Sequence, residues 1–140
     1  MIDRRRIEDL LRNLDNFLDH LHRLSNYSRE DLTNDPINLG AAKYYLQVSV
    51  ESCVNVANHI ISKQNWRRPE SMADSFSVLA ENGAVDPSFL PTLHRMARFR
   101  NRLVHLYWEV EADTIYQILN ENLEDLENFE RNILVYITKS

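Results

Sequence analysis

The segment Ile37–Lys63, which reads INLGAAKYYLQVSVESCVNVANHIISK, decides the fold. Its apolar residues cover nearly the whole circumference of a helix, and a helix that is apolar on all sides is packed by neighbours on several sides. We therefore predict that this helix is the centre of a helical bundle. One polar line, formed by Glu51, Asn55 and His59 at four-residue spacing, interrupts it. Such a line is either a satisfied structural network or the floor of a functional cleft, and the sequence leaves both open.

The flanking segments predict further helices around this centre. Residues 3–24 carry apolar side chains at the three-and-four spacing of one amphipathic helix. Ser28 is placed to cap a short helical turn, and Arg67-Arg68-Pro69 ends the central segment. Ser71 and Gly83 have the residue types that begin and stop a short helix.

Two more helices complete the prediction. Asp86 and Pro87 fit the N-cap and first turn of the next helix, and a last helix starts near Asp113. The expected fold class is all-α, an antiparallel up-down bundle of four long helices plus a short one. The length predicts a single domain over residues 1–140.

Composition excludes several other classes. The chain has only two glycines and four prolines, and 44% of its residues are hydrophobic. This composition argues against a disordered chain and against an all-β fold. No stretch reaches the roughly 18 apolar residues of a membrane span, so we expect a cytoplasmic protein without a membrane partner. The single cysteine, Cys53, cannot form an intramolecular disulfide and is expected in the core. The five histidines show no ligand spacing, so neither a metal nor another cofactor is expected.

One basic segment stands out from a chain whose net charge is −5. Residues 98–107, RFRNRLVHLY, hold three arginines, a histidine and a tyrosine. Most of the charged residues after position 107 are acidic. A local basic patch on an acidic body suits a confined anionic substrate better than long duplex binding. The alternative is that these cations compensate a helix dipole on a solvated face.

Helical geometry constrains what this segment does. Arg100 and Tyr107 fall about 20° apart on a regular helix, whereas His105 lies about 140° from Arg100. One protomer therefore brings Arg100 and His105 to one point only if the helix breaks near Asn101; otherwise a second copy across a two-fold axis completes the site. Two histidines and two guanidinium groups are sufficient for RNA cleavage without a metal. One imidazole takes the 2′-hydroxyl proton, another protonates the leaving 5′-oxygen, and arginine stabilises the phosphoryl charge.

The spacing Arg-x4-His-x-Tyr resembles the signature of HepT-like toxins, small ribonucleases of the HEPN superfamily. The likeness extends to Tyr44-Tyr45-Leu46-Gln47 before Glu51, to residues 75–83 and to the acidic final helix. The resemblance implies a helical homodimer that cleaves RNA, with transfer RNA as one conceivable substrate. It also implies a cognate nucleotidyltransferase antitoxin of the MNT type.

The resemblance assigns roles residue by residue. Arg100 and His105 would be the catalytic pair, and Tyr107 would be the residue that the antitoxin AMPylates with ATP. Asn101 would either fix a helix break or bind substrate. Arg98 and Arg102 would steer phosphate groups. The alternative reading is a non-catalytic helical subunit that binds substrate for a nucleotidyltransferase.

Overall fold

The computed structural model describes residues 3–139; Met1, Ile2 and Ser140, at the ends of the predicted 1–140 domain, lie outside the described residues. Within that range the chain forms seven α-helices and no strand, which confirms the predicted all-α class. The helices are α1 (Arg4–Ser25), α2 (Arg29–Thr33), α3 (Pro36–Gln64), α4 (Met72–Glu81), α5 (Leu90–His105), α6 (Ala112–Glu121) and α7 (Leu123–Lys139). Two 3-10 turns, Pro87–Phe89 and Tyr107–Glu109, flank α5.

Helix α3 is the centre of the bundle, as its apolar circumference predicts. It contacts all six of the other α-helices. Its buried residues cover more than half of its circumference, and the exposed residues Tyr44, Asn55, Asn58 and Ser62 form a stripe along the remaining side. Cys53 is among these buried residues, in the core position expected for it. Desolvation, the main cause, raises the pKa of the Cys53 thiol and keeps it protonated.

Helix α1 packs along α3 through its predicted apolar stripe. The stripe residues that are buried are Ile7, Leu11, Leu14, Leu18, Leu21 and Leu24. The other face of α1 is charged and exposed, so its amphipathic pattern alone places it on the outside of the bundle. The helix begins where the Asp3 carboxylate accepts a hydrogen bond from Arg6 N at 3.1 Å.

The predicted capping residues lie at the start of α4 and in the connection between α4 and α5. Ser71 Oγ accepts a hydrogen bond from Asp74 N at 3.0 Å and begins α4. Gly83 follows α4 with φ +77°, the left-handed conformation that a glycine adopts without strain. The Asp86 carboxylate accepts from Ser88 N at 2.9 Å and starts the 3-10 turn that leads into α5.

The predicted last helix is two helices, α6 and α7, separated at Asn122. The backbone of Asn122 leaves the helical region, with φ −121° and ψ 0°. Asparagine favours such positions because its side chain competes for local hydrogen bonds. Leu119, Leu123 and Leu126 are all buried, so the three-and-four spacing continues across the break and conceals it in the sequence.

The short helical turn predicted after Ser28 is the helix α2. Ser28 Oγ caps it by accepting a hydrogen bond from Asp31 N.

The loop between α3 and α4 is held by a double ion pair. Arg67 donates two hydrogen bonds to Asp74 and two to Glu81, all at 2.7–2.8 Å. The hydrogen bonds from Arg67, and then the one from Glu70 N, lower the pKa of Asp74 to about 2. The Arg67 guanidinium is therefore engaged within this loop and is separate from the basic segment 98–107.

The described residues contain no helix that is both long and apolar enough to span a bilayer.

Candidate functional site

The basic segment occupies the C-terminal half of α5 and the turn that follows. Helix α5 is continuous from Leu90 to His105, so it has no break near Asn101. Buried Leu103 anchors this half of the helix to the core. Because the helix is regular, Arg100 and His105 lie about 140° apart around its axis. Of the two geometries open from the sequence, the broken helix is wrong.

His105 is the last residue of α5, and the helix ends because Leu106 takes φ −133° and ψ 41°. The side chain of His105 is exposed, as are those of Arg98, Asn101 and Arg102. An exposed imidazole at a helix end is free to meet a large substrate. These four predicted site residues share the solvent-facing surface of α5.

Tyr107 does not lie on the same face of α5 as Arg100, so the prediction that both residues share one regular helix is wrong. The residue lies in the 3-10 turn Tyr107–Glu109, beyond the end of α5. The angle of about 20° between Arg100 and Tyr107 holds only if a regular helix continues through residue 107. The helix ends before that residue, because the backbone turns at Leu106. Its side chain is 45% exposed.

Arg100 is held by a carboxylate from the central helix. Glu51 Oε2 on α3 accepts a hydrogen bond from Arg100 Nε at 2.8 Å and forms an ion pair with Arg100 Nη2 at 2.6 Å. The same oxygen accepts from Gln47 Nε2 at 3.1 Å. On its other side, Arg100 Nη1 donates to Asn101 Oδ1 at 3.2 Å. The guanidinium is therefore fixed at the seam between α3 and α5.

The three residues of the polar line on α3 have three different environments. Glu51 binds Arg100, as described, while Asn55 is exposed. His59 is half-buried, and its Nε2 has no hydrogen-bond partner among the described residues. Burial, and then the charge of Lys63, lower the pKa of His59, so the imidazole is neutral near pH 7. The line is therefore not one network, and only Glu51 reaches the basic segment.

Tyr107 packs against the N-terminal half of α3. Lys43 Nζ lies 4.1 Å from the centroid of the Tyr107 ring and donates a hydrogen bond to the Tyr107 carbonyl oxygen at 3.3 Å. The phenol oxygen lies 3.9 Å from where a Cβ on Gly40 would stand. Lys43 is buried, with 6% of its surface exposed, and this desolvation lowers its pKa. The ammonium and the small glycine together fix the turn that carries Tyr107.

Sequence reasoning missed two partners of the motif, Lys43 and Gln47. The signal for Lys43 was present, since a lone lysine at a buried position of an all-apolar helix requires a partner. Gln47 gave no comparable signal, because a glutamine one turn before a glutamate is ordinary on any helix.

The exposed cations of α5 form the positive surface of this region. Arg95, Arg98 and Arg102 are all exposed, at spacings of three and four residues that place them on one side of the helix. Arg95 donates to the Thr92 hydroxyl at 3.0 Å. This surface is adjacent to His105 in sequence and is suited to phosphate groups.

The motif, its helix and its supports on α3 can be compared with known proteins. The model of the family described as Ribonuclease HepT-like matches residues 7–133. The chain belongs to this family. The match includes the whole of α2 to α6 and most of α1 and α7, which confirms the resemblance first seen in Arg100, His105 and Tyr107.

Two relatives of this HepT-like chain carry names of nucleases. An mRNA nuclease HepT from Shewanella oneidensis is 37% identical over 84 residues, which are 60% of this chain and 63% of that protein. The aligned part thus spans less than two thirds of that relative. A tRNA nuclease HepT from Aphanizomenon flos-aquae is 23% identical over 131 residues, 94% of this chain and 89% of that protein.

A solved structure shares the fold of this HepT-like chain. The tri-AMPylated Shewanella oneidensis HEPN toxin, in complex with an MNT antitoxin, has a TM-score of 0.84 and 27% identity. The comparison covers 96% of this chain and 99% of that one. The all-helical HEPN architecture expected from the sequence is therefore confirmed.

Proposed function

We propose that this HepT-like chain is an endoribonuclease and the toxin of a toxin–antitoxin pair, with Arg100 and His105 as its catalytic residues. The observation that carries the proposal is the unbroken α5. It presents His105 to solvent and holds Arg100 at the α3 seam, about 140° away. One chain thus supplies an acid–base group and a phosphate-binding cation that do not converge. A homodimer, in which two copies of the segment face one cleft, brings them together.

The chemistry needs no group beyond those of the RNA and the two copies. One His105 takes the proton from a 2′-hydroxyl, whose oxygen attacks the adjacent phosphorus. The bond from phosphorus to the 5′-oxygen breaks, and His105 of the second copy protonates that oxygen. Arg100 stabilises the charge that develops on the non-bridging oxygens. The products are a 2′,3′-cyclic phosphate and a 5′-hydroxyl, without a metal.

Substrate binding falls to the exposed part of the segment. Arg98 and Arg102 are exposed beside His105 and would steer the RNA phosphates, and Asn101 would hold Arg100 and bind the substrate. Transfer RNA is one substrate class to test, as the name of the Aphanizomenon relative suggests. The setting would be the cytoplasm, where RNA and ATP are present.

Neutralisation would act on Tyr107, through a cognate nucleotidyltransferase of the MNT type. The phenol oxygen attacks the α-phosphorus of ATP, pyrophosphate leaves, and the phenol proton passes to solvent or a base of the partner. The side chain is 45% exposed, so a partner can reach it. AMP at this position adds bulk and a negative charge near the surface that must receive RNA phosphate.

The test is cleavage of total RNA by purified, unmodified protein, as established by intact mass. His105→Ala and Arg100→Ala should each lose at least 100-fold in rate, the usual effect of removing an acid–base group or an oxyanion-stabilising group. His22→Ala and Arg12→Ala, which change the same residue types on α1, should cleave like the wild type. Circular dichroism should show the same helix content in all five proteins. No cleavage by the unmodified wild type would contradict the proposal.

The composite site has a separate test. Sedimentation at micromolar concentration should show a dimer, and specific activity should fall on dilution below its dissociation constant. A monomer that retains full specific activity would exclude a site shared by two copies.

A further inference from the structure

One carboxylate oxygen of Glu51 accepts two hydrogen bonds and forms an ion pair with Arg100. Oε2 accepts hydrogen bonds from Arg100 Nε at 2.8 Å and from Gln47 Nε2 at 3.1 Å, and it lies 2.6 Å from Arg100 Nη2. The side chains of Arg100 and Glu51 are only 20% and 27% exposed. A charged pair that is mostly withdrawn from water, with well-formed hydrogen bonds, has a defined geometry rather than a mobile one.

These bonds determine how the guanidinium is oriented. An arginine side chain has several rotatable bonds, and an unpaired guanidinium samples many positions. Here Glu51 occupies the edge of the group that carries Nε and Nη2, and Gln47 fixes the carboxylate one turn away on α3. Asn101 Oδ1 accepts from Nη1 at 3.2 Å and supports the same plane from α5.

We infer that Glu51 is a positioning residue for RNA cleavage, which holds Arg100 along the edge of Nε and Nη2 so that the remaining N–H groups of its terminal nitrogens stabilise the phosphoryl oxygens. The inference rests on the proposed function. The residue does not touch substrate; it acts through Arg100. A donor that is already aimed at the developing charge needs no reorganisation during the reaction, and that is the basis of its catalytic effect.

A purely electrostatic effect of Glu51 and a positioning role predict opposite changes in the cleavage rate when Glu51 is removed. This difference makes the positioning role testable. The Glu51 carboxylate carries a negative charge beside the place where an RNA phosphate must bind, so its removal should tighten RNA binding. If Glu51 only neutralised Arg100, its removal would also raise the rate of cleavage. If Glu51 positions Arg100, its removal slows cleavage while RNA binding stays equal or becomes tighter.

The experiment compares Glu51→Gln with the wild type, using kcat and KM on a cleavable RNA and Kd on the same RNA with 2′-O-methyl groups. We expect kcat to fall at least 10-fold, while Kd and KM stay equal or decrease. Glu111→Gln removes the same charge close to the motif, at the N-cap of α6, where its side chain makes no capping hydrogen bond. This control should keep kcat within about twofold, as expected for an exposed substitution.

Hydrogen exchange of the Arg100 Nε–H group, measured by NMR on the same proteins, shows directly whether Glu51 holds the guanidinium. The Arg100 Nε–H resonance should exchange slowly with water in the wild type and rapidly in Glu51→Gln. If the wild type does not cleave RNA, the proposed function is wrong, whatever this resonance shows. If the wild type cleaves and Glu51→Gln keeps its full kcat, only the positioning role of Glu51 is overturned.

A second variant covers the case in which Glu51→Gln does not fold. Gln47→Ala leaves the ion pair but removes the hydrogen bond from Gln47 that fixes the carboxylate. It should lower kcat in the same direction by about twofold to fivefold, equivalent to part of one hydrogen bond. An unchanged kcat in a folded Gln47→Ala, with a mobile Arg100 Nε–H, would contradict the inference.

Discussion

Glu51 on α3 binds Arg100 on α5, with its Oε2 atom 2.6 Å from Arg100 Nη2, although 49 residues separate them in the chain. Eight residues before Glu51, Lys43 holds the carbonyl and the ring of Tyr107. The central helix therefore supports the motif at both ends. The helix that organises the core is also the one that contacts Arg100 and Tyr107.

Replacing Tyr107 with phenylalanine should abolish AMPylation and leave RNA cleavage within about twofold of the wild type. The variant lacks the nucleophilic oxygen but keeps the ring over which Lys43 lies. The measurement is intact mass after incubation with the cognate nucleotidyltransferase and ATP, followed by an RNA cleavage assay. Tyr44→Phe, a change at another exposed tyrosine, should still accept AMP. Addition of AMP to Tyr107→Phe would refute the assignment of the modified residue.

The two glycines should respond in opposite directions to alanine. Gly40 lies within α3, and its added Cβ would meet only the Tyr107 phenol oxygen, at 3.9 Å, so Gly40→Ala should stabilise the fold by about 0.5–1 kcal/mol. Gly83 has φ +77°, so Gly83→Ala should destabilise it by about 1–2 kcal/mol, although nothing crowds the new Cβ. Urea unfolding of both variants measures the difference, and a shift of the same sign in both would contradict these local arguments.

Stability should fall as pH rises from about 5 to 8 because of Glu130 on α7. Burial, first, and then the neighbouring carboxyl group of Asp15 raise the pKa of Glu130 to about 8, above its ordinary value of 4.5. The folded state thus binds this proton more tightly than the unfolded state does. The associated stability is fully present below pH 4.5 and is lost as pH rises through about 8.

Thermal unfolding of the wild type and Glu130→Gln across this pH range isolates the contribution of Glu130. The neutral variant should lose less stability between pH 5 and pH 8 than the wild type. Glu124→Gln, at an exposed position of the same helix, should keep the wild-type slope. Equal slopes for the wild type and Glu130→Gln would show that Glu130 does not bind its proton more tightly in the folded state.

The elements that were predictable are those encoded by local patterns. The apolar circumference of 37–63 indicated a central helix, and the residue types of Ser71 and Gly83 marked the limits of α4. The split at Asn122 was not predictable from periodicity, because leucines at 119, 123 and 126 preserve the spacing on both sides.

The candidate site was predictable in its residues but not in its geometry. The Arg-x4-His-x-Tyr spacing singled out Arg100, His105 and Tyr107, yet the helical-wheel angle for Tyr107 failed because α5 ends at His105. The contact between Glu51 and Arg100 joins two helices, and no local pattern encodes which side chains meet across such a seam. The sequence indicated only that Glu51 lay on a polar line.

The measurement that tests the account most directly is the chemistry of the RNA ends produced by the wild type in EDTA. An acid–base reaction between His105 side chains and the RNA 2′-hydroxyl predicts undiminished cleavage, with 2′,3′-cyclic phosphate and 5′-hydroxyl ends. RNA with 2′-O-methyl groups should resist cleavage. Loss of activity in EDTA, or products that carry 5′-phosphate and 3′-hydroxyl ends, would contradict the account.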